Sequence, residues 1–276
     1  MQSNIKIFAC SHKSFGVLPA FTSAVQGGAA INPRLEGTLP DYGEGGSISE
    51  KNPDYCELTV QYYAWKNESA DYYGFCHYRR FLSFDEKIKK PYLVFGKKLG
   101  KKYLSRISEE GIVRTEIESA EVILPKPEDM GESVYSQYAA APGCVTEDLQ
   151  LFKRLVDENF PDLSPIAGEY LAQSKQYFCN VFVMKRDIFF DYCEKLFTLL
   201  EKFDEIKSGG RVRGDRADGY LAERFLGMYA LYLKSCGVKI KEFARLDVNC
   251  SFKKRILYKL FPPESKIRSV LKSSRR

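Results

Sequence analysis

Residues 177–184, YFCNVFVM, form an apolar run interrupted by a single polar side chain, Asn180. A run with no hydrophilic face suits a strand covered on both sides, which requires helices above and below the sheet it joins. Residues 71–81, DYYGFCHYRRF, repeat the pattern as an aromatic-rich strand ending in a cationic cluster. Residues 5–10, IKIFAC, alternate as a first strand and run into Ser11, His12 and Lys13, and residues 121–124, EVIL, add another strand stopped by Pro125 and Pro127.

Helical segments separate these runs. Asn52 as cap, Pro53 as first helical residue and Asp54 in the first turn predict a helix over residues 53–67. Phe189, Cys193, Leu196, Leu200 and Phe203 share one face of a helix over 187–203, while residues 220–234 are apolar nearly all round and belong inside. Residues 37–46, GTLPDYGEGG, hold four glycines and a proline and form a loop that needs a polar partner to order it. Residues 208–219, SGGRVRGDRADG, form another. Strands alternating with helices give an α/β fold, a mostly parallel mixed sheet flanked by helices. Without an interior boundary, residues 1–250 read as one catalytic domain and 251–276 as a basic helical tail.

At 276 residues the chain buries about three quarters of its unfolded surface and needs neither disulfide nor metal as a staple. Its eight cysteines are scattered, none paired as C-x-x-C, which is thiol usage in a reducing compartment. With only His12 and His77 available, a zinc site has too few ligands. The start, MQSNIKIFACSHK, lacks the features of a secretory signal and reads as a mature cytoplasmic N-terminus. Residues 14–33 carry no charge, but their glycines, prolines, Gln26 and Asn32 disqualify them as a membrane span.

Charge is concentrated at one end. Residues 251–276 hold nine basic side chains against one acid, Glu264, so residues 1–250 carry −2 of the chain's net +6. A nearly neutral body argues against nucleic acid as the partner. Within the tail, Phe252, Ile256, Leu257, Leu260 and Phe261 interleave with cations, a pattern of either a segment lying on an anionic membrane surface or a solvated tail. The membrane reading puts the protein peripherally on the inner face of the plasma membrane.

Three constellations carry candidate chemistry. His77, Arg79 and Arg80 end a strand, where they would either grip a phosphorylated ligand or pair with acids at the sheet rim; alternation points His77 and Arg79 to one side and Arg80 to the other. Asn180 needs hydrogen-bond partners, found either in the core or on a sugar hydroxyl. Glu223, followed by Arg224, near the start of an apolar helix is either a carboxylate favoured by the helix dipole or a general base. Phosphate-loop, dinucleotide-binding, nucleophile-elbow and H-E-x-x-H motifs are absent, as is the Asp-x-Asp with which many nucleotide-sugar transferases hold a divalent ion.

Residues 49–59, SEKNPDYCELT, continuing to Tyr63-Ala64-Trp65-Lys66-Asn67, resemble a family of bacterial capsular and exopolysaccharide proteins long known only by an unknown-function label and regarded as glycosyltransferases of the GT-A type. Gly74-Phe75-Cys76-His77-Tyr78-Arg79-Arg80-Phe81 is similar to the family's second block, the segment from Asn180 to Met184 to its third, and Gly219-Tyr220-Leu221-Ala222-Glu223-Arg224-Phe225 to its fourth. Tyr63 replaces a frequent Trp, Gly46-Ser47 an acid, and Ala141-Pro142-Gly143-Cys144 a His-containing stretch, which puts the acceptor in question. The resemblance implies a GT-A-like, Rossmann-like fold and transfer of a hexose, galactose or galactofuranose among the candidates, from a UDP-sugar to a lipid-linked or oligosaccharide acceptor in capsular, exopolysaccharide or O-antigen synthesis. On that reading His12, Lys13, Arg79, Arg80 and Asn180 bind the nucleotide sugar. Glu223, Arg224 and His77 are catalytic, and Glu57, Trp65 and Lys66 touch sugar or acceptor unless Trp65 is simply core. Cations would stand in for the metal, with Mn or Mg as the alternative. The alternative is a non-catalytic nucleotide-sugar or carbohydrate-binding protein of the same assembly system.

Overall fold

The computed structural model describes residues 2–11, 18–208 and 212–260. The chain opens with three parallel strands, β1 (Ile5–Ser11), β2 (Thr22–Gln26) and β3 (Leu39–Pro40). A small hairpin of β4 (Tyr42–Gly43) and β5 (Gly46–Ser47) leads to helices α1 (Asn52–Tyr55) and α2 (Leu58–Asn67). The loop between β3 and α1 is ordered by Asp41, whose buried carboxylate accepts from the backbone N–H groups of Gly28 (2.7 Å) and Ala29 (3.0 Å) and from the Ser49 hydroxyl (2.5 Å). The polar partners that order it therefore include backbone N–H groups from the turn after β2.

The single helix predicted over 53–67 is in fact two. Cys56 adopts φ 54°, breaking the helix, and Glu57 occupies the junction. The side-chain amide of Asn52, which is helical rather than the cap, donates to the Cys56 carbonyl (2.7 Å) and to Thr59 Oγ1 (3.2 Å). Gly219 leaves the room this bend requires, since a Cβ there would lie 3.0 Å from Cys56 Sγ.

The predicted strand over 71–81 is also divided. β6 (Tyr72–His77) ends at a reversal through Tyr78 and Arg79, and β7 (Arg80–Leu82) returns antiparallel with Arg80 opposite His77. Strict alternation of His77, Arg79 and Arg80 therefore does not apply. The charged stretch that follows forms β8 (Tyr92–Val94), α3 (Lys101–Ser108) and α4 (Glu110–Glu118). Next come β9 (Val122–Pro125), β10 (Glu128–Asp129), α5 (Val134–Ala139), α6 (Thr146–Asn159), α7 (Ser164–Ala172) and β11 (Lys175–Gln176). The apolar run over 177–184 becomes strand only in its second half, β12 (Phe182–Lys185), because Cys179 and Asn180 take positive φ (78° and 44°). Asn180 therefore lies in a turn ahead of the strand. The chain continues through α8 (Arg186–Lys207), α9 (Ala217–Ser235), β13 (Ile240–Phe243), β14 (Arg245–Asp247) and α10 (Phe252–Leu260).

The central sheet runs β13-β9-β12-β6-β1-β2-β3, with β12 antiparallel to its neighbours, and β14 joins β7 to β8 at its margin. Alternate residues enter opposite cores, as the unbroken apolar runs require. Phe8, Tyr73, Phe75, Phe182 and Met184 pack against α2 and α5–α9, whereas Ile7, Tyr72, Cys76 and Val183 pack on the side holding Ile107, Val113 and Ile117 of α3 and α4. The fold is thus the expected mostly parallel mixed sheet flanked by helices. The carboxyl ends of β1, β2 and β6 and the start of β12 meet at one edge, where open α/β sheets bind ligands.

Candidate functional site

A cleft of about 260 Å³ opens at that edge. β1 contributes Cys10 and Ser11, the end of β2 contributes Gly27, and β6 contributes His77. The opposite wall is the broken helix, with Asn52, Pro53, Cys56 and Glu57, and Arg216 from the cap of α9 completes it. Gly27 must lack a side chain, since a Cβ would come within 2.9 Å of the Asn52 amide and 3.2 Å of Cys10 Sγ.

Two carboxylates from distant parts of the chain are gathered here by consecutive residues. The Asn180 amide donates to Glu57 Oε1 (3.0 Å) and, more weakly, to the Gly219 carbonyl (3.4 Å). The Cys179 backbone N–H donates to Glu223 Oε1 (3.0 Å), and the second oxygen of Glu223 accepts from Arg224 (3.3 Å). Positive φ at two adjacent side-chain-bearing residues costs about 1–3 kcal/mol each, strain of the kind that clusters at functional sites. Burial, followed by the nearby Glu223 charge, raises the Glu57 carboxyl above its ordinary value, while the Asn180 hydrogen bond and Arg80 oppose the shift.

The cations differ in their commitments. Arg216 sits in the left-handed region (φ 54°) and donates from Nε to Cys56 Sγ (3.0 Å) while its side chain lines the cleft. His77 accepts the Arg79 backbone N–H at Nδ1 (3.3 Å) and lines the cleft. Arg224 is almost fully buried, donating to Gln137 (2.5 Å) and the Tyr220 carbonyl (3.2 Å) beneath the Tyr138 ring, so it supports Glu223 from behind. Arg79 and Arg80 line a second cleft of about 300 Å³ with residues 247–251. There Arg80 lies 3.8 Å from Asp247, itself held by Arg245, so this arginine makes the rim pairing that sequence left open.

The remaining candidates fall elsewhere. Trp65 stacks on Phe197 (5.7 Å between centroids) and the exposed Lys66 lies over the Trp65 ring, both near the carboxyl end of α2 and outside the lining of the cleft. His12 and Lys13 lie outside the described residues. Arg216, Asn52, Cys56, Cys10 and Ser11 were not among the sequence candidates. Asn52 and Cys56 carry the signal of the SEKNPDYCELT block, whereas Arg216 lies in a loop rich in glycine and arginine and Cys10 and Ser11 at the end of the first strand, outside every motif.

Thiolate chemistry is a poor fit. Burial pushes the Cys56 thiol up to about 11, with Glu57 adding and Arg216 opposing, and burial also lifts Cys10 well above its usual range. Among the described residues no three His, Cys, Asp or Glu side chains converge as a metal site. Of the described residues at the cleft, Glu57 and Glu223 supply two carboxylates, each already held by a donor. Among the described residues no helix is long and apolar enough to cross a membrane.

None of the curated proteins matches this chain. Among solved structures, the apo form of WbbM, a bifunctional glycosyltransferase, is similar at TM-score 0.79 and 31% identity, over 90% of this chain and 46% of that one. The chain thus spans about half the length of that protein. Residues 6–234, which carry the sheet strands from β1 to β12, Cys179, Asn180 and the two carboxylates, match the family described as Domain of unknown function (DUF4422), and the chain belongs to that family.

Proposed function

We propose that the chain is a glycosyltransferase of the GT-A type, moving a hexose from a nucleoside-diphosphate sugar to a hydroxyl of a lipid-linked or oligosaccharide acceptor. The observation that carries this reading is the pair of carboxylates held by Cys179 and Asn180 beside a cleft walled by His77 and Arg216. Transfer forms a bond from the acceptor oxygen to the anomeric carbon, breaks the bond from that carbon to the diphosphate, and releases the acceptor's proton. Two kinds of group are needed, a base for the proton and cations for the departing diphosphate. Glu57 suits the first role better than Glu223, because it lines the cleft while both oxygens of Glu223 already accept hydrogen bonds. Arg216 and His77 suit the second, with Arg216 supplying a permanent charge and His77 an N–H. Arg224 becomes a positioning residue for Glu223.

The structural likeness to a glycosyltransferase adds to this reading, as does the resemblance to polysaccharide-synthesis proteins. The resemblance is what suggests capsular, exopolysaccharide or O-antigen assembly; a UDP-sugar of the galactose type is the first donor to test, and residues 1–250 are taken as the catalytic domain. The test is thermal shift and nucleotide release with a panel of nucleotide sugars, each with manganese and with chelator. A ligand at a hundred times its Kd adds about 2.7 kcal/mol to stability. Binding of one nucleotide sugar, acceptor-dependent release of its nucleoside diphosphate and loss of release in Glu57→Gln are expected. Absence of binding to any nucleotide, or full activity in Glu57→Gln, overturns the assignment.

A further inference from the structure

α10 turns its apolar residues outward. Phe252 (72% exposed), Ile256 (41%) and Leu260 (61%) recur every fourth residue, and they are three of the seven large hydrophobics exposed among the described residues. At 100° per residue they fall within an arc of about 80°. On the same wheel Tyr258 lies about 120–160° from these three, on the opposite side. It is Tyr258 that meets the body of the protein, edge-on to Tyr92 at 4.9 Å. The helix is therefore docked by one face and presents the opposite, apolar face to its surroundings. Lys253 and Arg255 are exposed beside that stripe, and the segment from residue 251 onward carries nine cations and one acid.

We infer that α10 is an in-plane membrane anchor that seats Phe252, Ile256 and Leu260 in the interface of an anionic bilayer. The charge decides among occupants: the segment from residue 251 onward, with its nine cations and one acid, would be repelled by the same segment of a second copy, whereas an anionic lipid surface complements it. The anchor also orients the protein. Cys250 and Ser251, directly ahead of α10, line the second cleft with Arg79 and Arg80, so docking brings that cleft to the headgroup layer. The inference stands apart from the transfer reaction, because lipid binding is measured without donor or acceptor.

The experiment is co-sedimentation of the full chain with vesicles of phosphatidylglycerol mixed into phosphatidylcholine, against phosphatidylcholine alone. Binding to the anionic vesicles at low salt is expected, weakened at about 1 M salt, where the screening length is about 3 Å. The triple variant F252S/I256S/L260S should bind at least about tenfold more weakly with an unchanged melting midpoint. Removing three tail cations in K266S/R268S/K272S should cost about a hundredfold at low salt, from about 1 kcal/mol per charge. The anchor is overturned if the wild type leaves the anionic vesicles in the supernatant, if it binds zwitterionic vesicles equally well, or if the triple serine variant binds like wild type. A wild-type dimer that the triple serine variant converts to a monomer overturns it in favour of a self-contact.

Discussion

Replacing Glu57 by Gln separates stability from activity in a way that tests the site directly. The substitution keeps the length of the side chain and an oxygen for the Asn180 amide, but removes a carboxyl that burial and the Glu223 charge hold above its ordinary 4.5. The sign follows from proton binding. Above about pH 4.5 the unfolded chain releases this proton while the folded chain retains it, so wild-type stability falls as pH rises. The fall runs at about 1.4 kcal/mol per pH unit and levels off once the folded carboxyl has ionised. Gln carries no such penalty. The variant should therefore match the wild type near pH 4 and gain on it above that, by about 3 °C in midpoint per pH unit within the window. Scanning calorimetry of both proteins at matched pH isolates the difference, because the other titrating groups are common to the two. In the same variant turnover should drop by about 10²–10⁴, the usual contribution of a general base. A stability gap that stays flat from about pH 4 to 8, or a variant less stable than wild type at the upper end, refutes the reasoning about Glu57.

Three further outcomes are expected. Asn180→Ala loses the hydrogen bond to Glu57 and puts Ala, which tolerates the left-handed region less well than Asn, at φ 44°, for about 3 kcal/mol in denaturant unfolding, while Asn180→Gly, which tolerates that backbone, should lose about 1 kcal/mol less. Because the lost bond favoured the ionised form of Glu57, the acid limb of kcat/KM should move to higher pH in both variants, and movement to lower pH would contradict the assignment. Arg216→Ala should weaken nucleoside-diphosphate binding by about tenfold or more, measured by calorimetric titration, with the fold intact; Trp65→Phe should leave that binding unchanged. Gly227→Ala gains about 1 kcal/mol of helix propensity, yet its Cβ would overlap the buried Tyr170 ring, whose hydroxyl accepts from the Tyr177 N–H. Overpacking of this kind typically costs about 1–3 kcal/mol, and displacing Tyr170 also orphans a buried donor, so a midpoint lowered by several degrees is expected.

What the chain's own pattern determined is the architecture. Unbroken apolar runs such as VFVM and YYGFC demand cover on both faces, and Phe75 and Cys76, neighbours in sequence, do enter opposite cores. The buried α9 and the long α8 were equally legible, because their periodicity is local. The breaks were not. Nothing within residues 53–67 says that the helix bends at Cys56, since the bend depends on the missing Cβ of Gly219, far along the chain. Likewise the half of the 177–184 run that is not strand is decided by where its groups must point, with Cys179 and Asn180 giving up regular backbone to reach Glu223 and Glu57. Asn180 and Glu57 are 123 residues apart, and no spacing rule joins such positions. Periodicity reports how one segment meets its own neighbours; only the assembled sheet, with three parallel strands ending at the same edge, brings Glu57 to the cleft that His77 and Arg216 share and holds Glu223 through the adjacent Cys179.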